Sequence, residues 1–331
     1  MEIIEECKYM VCVRCFTFNH ANYIEDAMNG FCMQQTNFPF VCVIVDDAST
    51  DGEPAVIHKY LGDNFNLMDN SVARNEETDD YVLTFAQHKT NKNCYFAVFI
   101  LKYNHYSSPE LKECKFRYIG EWHDNAKYLA ICEGDDYWIH PQKLQKQVDF
   151  LENNPDCSMC FHRAKILKCI DVKVGLQCDD IEDRYYSPNE LLANWKVPTA
   201  AMLFRREVLE VANKGEHRIL NGDISVVLNS AKNGEIKGMS EEMSVYRVQA
   251  SGITYDNKYQ KERLLKYPDH FKFIKDNYPF LNQGLVNSLI MSSYFNRRSV
   301  QNSSWGYLKD TLSAYYYRLL AAVYNKLINK C

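Results

Sequence analysis

The chain has 331 residues, enough for one large core or a core with a smaller appendage, and 46% hydrophobic with 24% charged residues excludes a disordered polymer. A net charge of −5 gives no general attraction to nucleic acid. No apolar run approaches the roughly 20 residues of a membrane helix. The acidic, polar residues 1–8 precede a strand-like run, the wrong order for a secretory signal, so the cytoplasm is the default compartment.

Residues 10–16 read as a buried strand dense in Val, Cys and Met. Asn19-His-Ala-Asn22 forms a turn, and Asn22 with Glu25 has the pattern of a capping box. Ile24, Ala27, Met28, Phe31 and Cys32 then recur at helical spacing. A second buried strand, residues 40–45, ends in the polar turn Asp46-Asp47-Ala-Ser-Thr-Asp51-Gly52, and Pro54 opens a helix to about Leu61. This alternation predicts a βαβ unit and a parallel sheet. Residues 63–122 carry weaker signals: 66–80 are polar and acidic, and 94–103 look like another buried strand.

Residues 128–132 form the next strand and run straight into Glu133-Gly-Asp135-Asp136-Tyr-Trp138. Pro141 opens a helix with Leu144, Val148 and Leu151 on one face, stopped near Asn153-Asn-Pro155. Further strands are expected at 158–162, 164–174 and 243–248, and helices at 188–195, 205–212 and 223–232. From residue 257 onward the pattern is helical and holds no site-like cluster. In residues 307–330, Leu308, Leu312, Tyr315, Leu319, Val323 and Leu327 fall near one face, with Lys309, Arg318, Lys326 and Lys330 off it. Such a helix suits packing on its own domain or on a second subunit better than resting on an anionic membrane surface. The 13 cysteines are odd in number and scattered through apolar runs, as buried free thiols would be. Cys12 with Cys15, and Cys157 with Cys160, have metal-like spacing, but strand positions three apart face opposite sides, which argues against zinc.

Three acidic positions at strand ends or helix starts carry the chemistry, because ligands of open α/β sheets collect at the carboxyl ends of strands. At Asp135-Asp136 two adjacent carboxylates repel each other, and a divalent cation relieves that repulsion. Magnesium or manganese prefers oxygen ligands and bridges carboxylates to substrate phosphates. Taken alone, the pair suits a solvated turn capping the next helix better than a metal site. Asp46-Asp47 suits either hydrogen bonding to a nucleobase or ribose, or an Asx turn. Asp223, after Asn221-Gly222, could serve as a general base for an attacking hydroxyl, but taken alone it better suits a first-turn aspartate favoured by the helix dipole.

Together these segments resemble glycosyltransferase family 2, inverting enzymes of the GT-A fold. Cys15-Phe-Thr-Phe-Asn19-His20 and Val45-Asp46-Asp47-Ala-Ser-Thr-Asp51-Gly52 are similar to the family's opening strand, turn and "DDxSTDG" segment. Glu133-Gly-Asp135-Asp136-Tyr-Trp138 is similar to its "DGDDxW" metal motif, and Lys143-Leu-Gln-Lys-Gln-Val-Asp-Phe-Leu151 to the helix that follows. Asn221-Gly-Asp223 and Met243-Ser-Val-Tyr-Arg247 resemble the acceptor-side end, so the likeness covers about residues 9–250. It implies a Rossmann-like α/β fold with a mixed, mostly parallel sheet: a catalytic domain over 1–255 and a helical C-terminal extension over 256–331. By the same resemblance, Asp47 recognises the base, Phe16, Phe18 and Asn19 belong to the nucleotide pocket, and Asp135 and Asp136 hold Mn2+ or Mg2+ and the diphosphate. Asp136 is the more direct metal ligand, and Asp223 is the general base. The implied reaction moves a sugar from a nucleotide-sugar donor, a UDP-hexose being commonest, to a glycan or lipid-linked acceptor in one inverting displacement. Two positions depart from the pattern: Phe18 stands where relatives often carry Tyr, and Gln249 where many read the histidine of "YRxH".

Alternatives are a nucleotidyltransferase, a non-catalytic nucleotide- or sugar-binding descendant, and a processive polysaccharide synthase. The turn Phe18-Asn-His-Ala-Asn22 lacks the glycine and lysine of a phosphate loop, which disfavours the first. The retained Asp135, Asp136 and Asp223 disfavour the second. The third needs membrane spans and a "QxxRW" motif, neither of which the sequence contains.

Overall fold

The structure, a computed structural model, describes residues 7–328 apart from 109, 112–113, 173, 175, 211–219, 250–256 and 302–303. β1 (Tyr9–Thr17) and β2 (Phe40–Asp46) are almost wholly apolar because both faces of these strands are covered. β1 runs parallel to β2 on one side and to β6 (Ala126–Ile131) on the other, with Cys12 level with both Val41 and Leu129. β5 (Cys94–Leu101) adds in parallel to β2. Strand order therefore reverses between β1 and β6, which opens a crevice at their carboxyl ends.

These four strands are the centre of a ten-stranded mixed sheet. Beyond β5, β4 (Tyr81–Gln87) and the edge strand β3 (Ala73–Glu77) form an antiparallel hairpin. Beyond β6 come β9 (Leu203–Arg205), β8 (Cys157–Lys168), β10 (Glu235–Val248) and the short β7 (Tyr137–Trp138). β8 and β10 are parallel to each other, and the remaining pairs at this end are antiparallel. One face of the sheet carries a core around Val43, Phe99, Trp122 and Phe204. The other carries a core around Val13, Phe31, Phe96 and Trp138.

α1 (Ile24–Cys32) presses directly on β7: a Cβ on Gly30 would lie 2.8 Å from the Trp138 backbone nitrogen. Its start differs from the expected capping box, since no side chain caps it. The Ile24 N–H instead donates to the His20 carbonyl at 2.9 Å, so the turn after β1 is itself the helix start. α2 (Glu53–Asn64), α3 (Cys114–Asp124) and α4 (Lys143–Asn153) follow. The two strands expected at 158–162 and 164–174 are one strand, β8, ending at Lys168. The helix expected at 205–212 begins later, because Arg205 closes β9; α6 (Glu207–Glu210) follows, and 211–212 lie outside the described residues. α5 (Pro188–Ala193) and α7 (Gly222–Asn233) stand where expected.

Residues beyond 256 form α8 (Asn257–Asn277), α9 (Gln283–Gln301) and α10 (Ser304–Ile328). Leu228 of α7 shares a core with Ile274, Tyr278, Leu281 and Val286, and the Tyr278 hydroxyl donates to Asn229 Oδ1 at 3.0 Å. α10 stacks Tyr317 on Phe295 of α9, yet Leu312, Tyr316, Leu319, Val323 and Leu327 remain exposed along its other side. No helix among the described residues is long and apolar enough to cross a membrane.

The described cysteines are free thiols. Cys12 and Cys15 enter opposite cores, as the strand period requires. Cys157 and Cys160 enter the same core, contrary to the simple alternation, because a register shift opposite Glu235 and Ile236 inserts an extra residue between them.

Candidate functional site

The crevice is built by three turns held against one another. The Cys132 and Gly134 N–H groups each donate at 3.0 Å, to the Arg14 and Phe16 carbonyls, so the β6–β1 ladder continues into the acidic turn. Gly134 is required there: a Cβ would come within 2.6 Å of Thr17 Cβ. The Thr17 hydroxyl donates to Glu53, a fully buried carboxylate that also accepts from the His20 N–H at 2.8 Å and the Ser49 hydroxyl at 2.9 Å. Asn19 sits at φ 56°, a left-handed conformation that asparagine tolerates; its Oδ1 accepts from the Thr50 N–H and its own N–H donates to Ser49 Oγ, both at 2.8 Å. Asn19 thus shapes the turn without lining the cavity. Glu53 was not singled out in the sequence; its signal is a lone carboxylate directly ahead of Pro54 at a helix start.

Asp135 and Asp136 emerge beside this turn. The Arg247 N–H donates to Asp136 Oδ1 at 2.8 Å, and the Arg247 guanidinium donates to the Asp135 carbonyl at 2.8 Å and to Asp26 at 2.7 Å. Gln249 takes up the departure from the "YRxH" pattern: its Nε2 donates to Asp135 Oδ2 at 2.8 Å. His20 Nε2 stands 3.9 Å from the same oxygen. Asp136 is only 3% exposed, and burial together with the neighbouring Asp135 charge pushes its pKa well above the usual carboxylate range.

The two carboxylates that end β2 differ in use. Asp46 is buried, accepts from the Ser49 N–H, and burial raises its pKa to about 6. Asp47 turns toward the loop after β5: its oxygens accept from the His105 N–H at 2.6 Å and the Tyr106 N–H at 3.0 Å. That arrangement holds Tyr106 at the cavity wall while Asp47 itself still lines the cavity.

One cavity of about 1340 Å³ joins these parts. Phe16, Phe18, Asp47 and Thr50 line it along with Asp135, Asp136, Arg247, Asn221 and Asp223. Phe16 packs edge-on against Phe116 at 5.7 Å, and Phe18 is 42% exposed. Asp223, in the first turn of α7, accepts from the Ile224 N–H at 2.9 Å, and removal from water raises its pKa. Beyond residue 257 the sequence pattern shows no site cluster, but α8 contributes Gln260, Arg263, Leu264 and Tyr267 to the wall. Their spacing of three, four and seven residues puts them on one helix face, and that was the available signal.

Among the described residues no three His, Cys, Asp or Glu side chains converge as a closed metal site. The donor set does fit an open site for a hard cation. Two adjacent carboxylates present oxygen ligands, the inner one is destabilised as an anion by burial, and phosphate or water oxygens would complete the shell.

No family model matches the chain. It is 28% identical over 242 residues to the uncharacterized protein Rv1520 of Mycobacterium tuberculosis and equally to the uncharacterized protein Mb1547 of Mycobacterium bovis, matches that cover 72% of this chain. The chain spans 58% of the length of these curated relatives. Its fold is similar to that of S. aureus TarS (1–349), solved with UDP: TM-score 0.53, 14% identity, 96% of this chain and 91% of that one. The same protein solved with UDP-GlcNAc gives a TM-score of 0.52 at 14% identity, covering 96% and 92%.

Proposed function

We propose that the chain is an inverting glycosyltransferase that moves a hexose from a nucleotide-diphosphate donor, UDP-hexose first, to a hydroxyl of a glycan or lipid-linked sugar. The observation that carries this is a single cavity lined both by the Asp135–Asp136 corner at the strand-order reversal and by Asp223. The shared fold with a UDP-bound protein supports it.

In this assignment Phe16, Phe18 and Asp47 receive the nucleoside, and Asn19 fixes the turn that presents them. Asp136, with Asp135, would hold Mg2+ or Mn2+, which when bound offsets negative charge on the departing diphosphate. Asp223 takes the proton of the acceptor hydroxyl as its oxygen bonds to the anomeric carbon. The bond from that carbon to the phosphate oxygen breaks, and its electron pair leaves with the nucleoside diphosphate. Attack opposite the leaving group inverts configuration, and no sugar–enzyme bond forms. The raised pKa of Asp223 makes it a stronger base than an exposed aspartate. Residues 1–255 supply the donor and base groups, and α8, from the extension over 256–331, lines the acceptor side.

The exposed apolar stripe of α10 we assign to peripheral contact with an anionic bilayer. Lys309, Arg318 and Lys326 are exposed on this helix, and its one acid, Asp310, is buried beside Arg298. Exposed cations beside an apolar stripe, with no exposed acid on the helix, suit an anionic surface.

The deciding measurement is release of free nucleotide from a panel of UDP- and GDP-sugars, with and without Mn2+. Metal-stimulated release is expected for one donor. If the folded protein neither binds nor turns over any of them, the assignment fails.

A further inference from the structure

The cavity holds two arginines in very different situations. Arg247 is committed to Asp26 and the Asp135 carbonyl. Arg263, on α8, lies 5.6 Å from the centroid of the Tyr259 ring and 5.7 Å from that of Tyr267. Its Nη2 donates to Asn221 Oδ1, a neutral amide, and its Nε is buried without a hydrogen-bond partner. Among the described residues Arg263 is bonded to no carboxylate. That Nε is shut away from the cavity, but Nη1 makes no hydrogen bond among the described residues, so a guanidinium fixed by two rings and an amide can present Nη1 and the second Nη2 N–H to a planar or tetrahedral anion.

The position of Arg263 decides which anion. On the transferase assignment, the acidic corner and the cation it would hold take the donor phosphates. Arg263 belongs instead with Asn221, two residues before Asp223, and its charge acts on the Asp223 carboxyl. The volume of about 1340 Å³ exceeds the roughly 300–1,000 Å³ of a typical small-molecule site, leaving room for a second ligand beside a nucleotide-sugar.

We infer that Arg263 forms an acceptor subsite for a sugar or polyol that carries a phosphate or carboxylate close to its reacting hydroxyl. The word acceptor rests on the transferase assignment; the anion site itself does not. Gripping that anion would orient the neighbouring hydroxyl toward Asp223, so Arg263 is a specificity-determining residue that leaves the proton transfer to the aspartate.

Calorimetric titration of the full chain tests this with paired probes: glycerol 3-phosphate against glycerol, and glucuronate against glucose. UDP with Mn2+ is titrated separately. Wild-type protein is expected to bind one anionic probe at least about tenfold tighter than its neutral twin, and which pair responds distinguishes phosphate from carboxylate. Arg263→Gln should erase the preference, Arg263→Lys should keep part of it, and UDP affinity should stay within about twofold in both. The lysine variant serves as the readout if the glutamine variant melts without cooperativity. Equal binding of the twins by wild type, or no binding of either anion, overturns the subsite. So does a loss of UDP affinity matching the loss of anion affinity, which would give Arg263 to the donor. Failure of wild type to bind UDP, with the anion preference intact, would sink the transferase assignment and leave the anion site standing.

Discussion

The backbone N–H of Arg247 donates to Asp136 Oδ1 at 2.8 Å across 111 residues of sequence, and the side chain of the same residue bonds the Asp135 carbonyl. β10 thereby fixes the acidic turn by main chain and side chain together. The guanidinium also lies 4.6 Å from the Tyr23 ring centroid and 5.0 Å from that of Tyr137, so charge and packing coincide.

Arg247→Ala keeps the main-chain bond but removes the fork and the ring contacts. The expected cost is about 1–3 kcal/mol in urea denaturation, with weaker Mn2+-dependent UDP binding as the Asp135–Asp136 turn loosens. Arg247→Lys should recover little, because a single ammonium cannot serve Asp26 and the Asp135 carbonyl in the same geometry. Unchanged stability in both variants would show that the turn holds without this residue.

Asp223→Asn preserves shape and removes the base. Transfer should fall about 10²–10⁴-fold while calorimetric UDP affinity stays unchanged. A transfer rate equal to wild type would take the proton-accepting role away from Asp223.

Glu53 is the hub of the crevice turns, since donors from Thr17, His20 and Ser49 converge on it. Glu53→Ala strands those donors and should cost on the order of 2–4 kcal/mol, whereas Glu53→Gln keeps one acceptor oxygen and should cost less. The alanine variant should also bind UDP more weakly, because Asn19 and Thr50 lose their support. Equal denaturation midpoints for the two variants would contradict a hub role.

The centre of the sheet was legible because β1, β2 and β6 are covered on both faces and therefore read as mostly apolar runs, with acidic turns following β2 and β6. β3 was not, since Ala73-Arg-Asn-Glu-Glu77 is a mostly exposed edge strand whose polar side chains look like loop. Asp135, Asp136 and Asp223 announced themselves by position. Glu53 and Arg263 did not: a charged residue in a turn or on a polar helix normally faces water, and only distant partners, Thr17 and Asn221, reveal otherwise. Asn19, expected in the nucleotide pocket, holds the turn beside it through its N–H and Oδ1.

The stripe on α10 gives a prediction independent of catalysis. The full chain should float with vesicles containing anionic phosphatidylglycerol and not with purely zwitterionic ones, and Leu319→Glu with Val323→Glu should abolish flotation without changing UDP affinity. A concentration-dependent dimer that those substitutions break, with no vesicle binding, would assign the stripe to a second copy instead.

Lys143 sits fully buried under the acidic turn, its Nζ 4.1 Å from the Trp138 ring centroid and donating to Gln147 Oε1 at 2.8 Å. Burial lowers its pKa to about 7, against the nearby thiols of Cys132 and Cys160, which act to raise it. In the unfolded chain the amine titrates near 10.4. Between these values the unfolded chain holds a proton that the folded protein lacks, so stability must rise with pH from about 7 toward 10; below 7 the folded amine protonates and the full penalty, a few kcal/mol, is present. Lys143→Met keeps the bulk and removes the titration. Wild-type stability should therefore gain on the variant by about 1.4 kcal/mol per pH unit between roughly pH 7.5 and 10, read from urea denaturation at matched pH values. Cys132, Cys160 and His162 remain in both proteins, so their own titrations largely cancel in the difference. Parallel pH profiles would mean that Lys143 stays charged inside the fold, held as a cation by the Trp138 face.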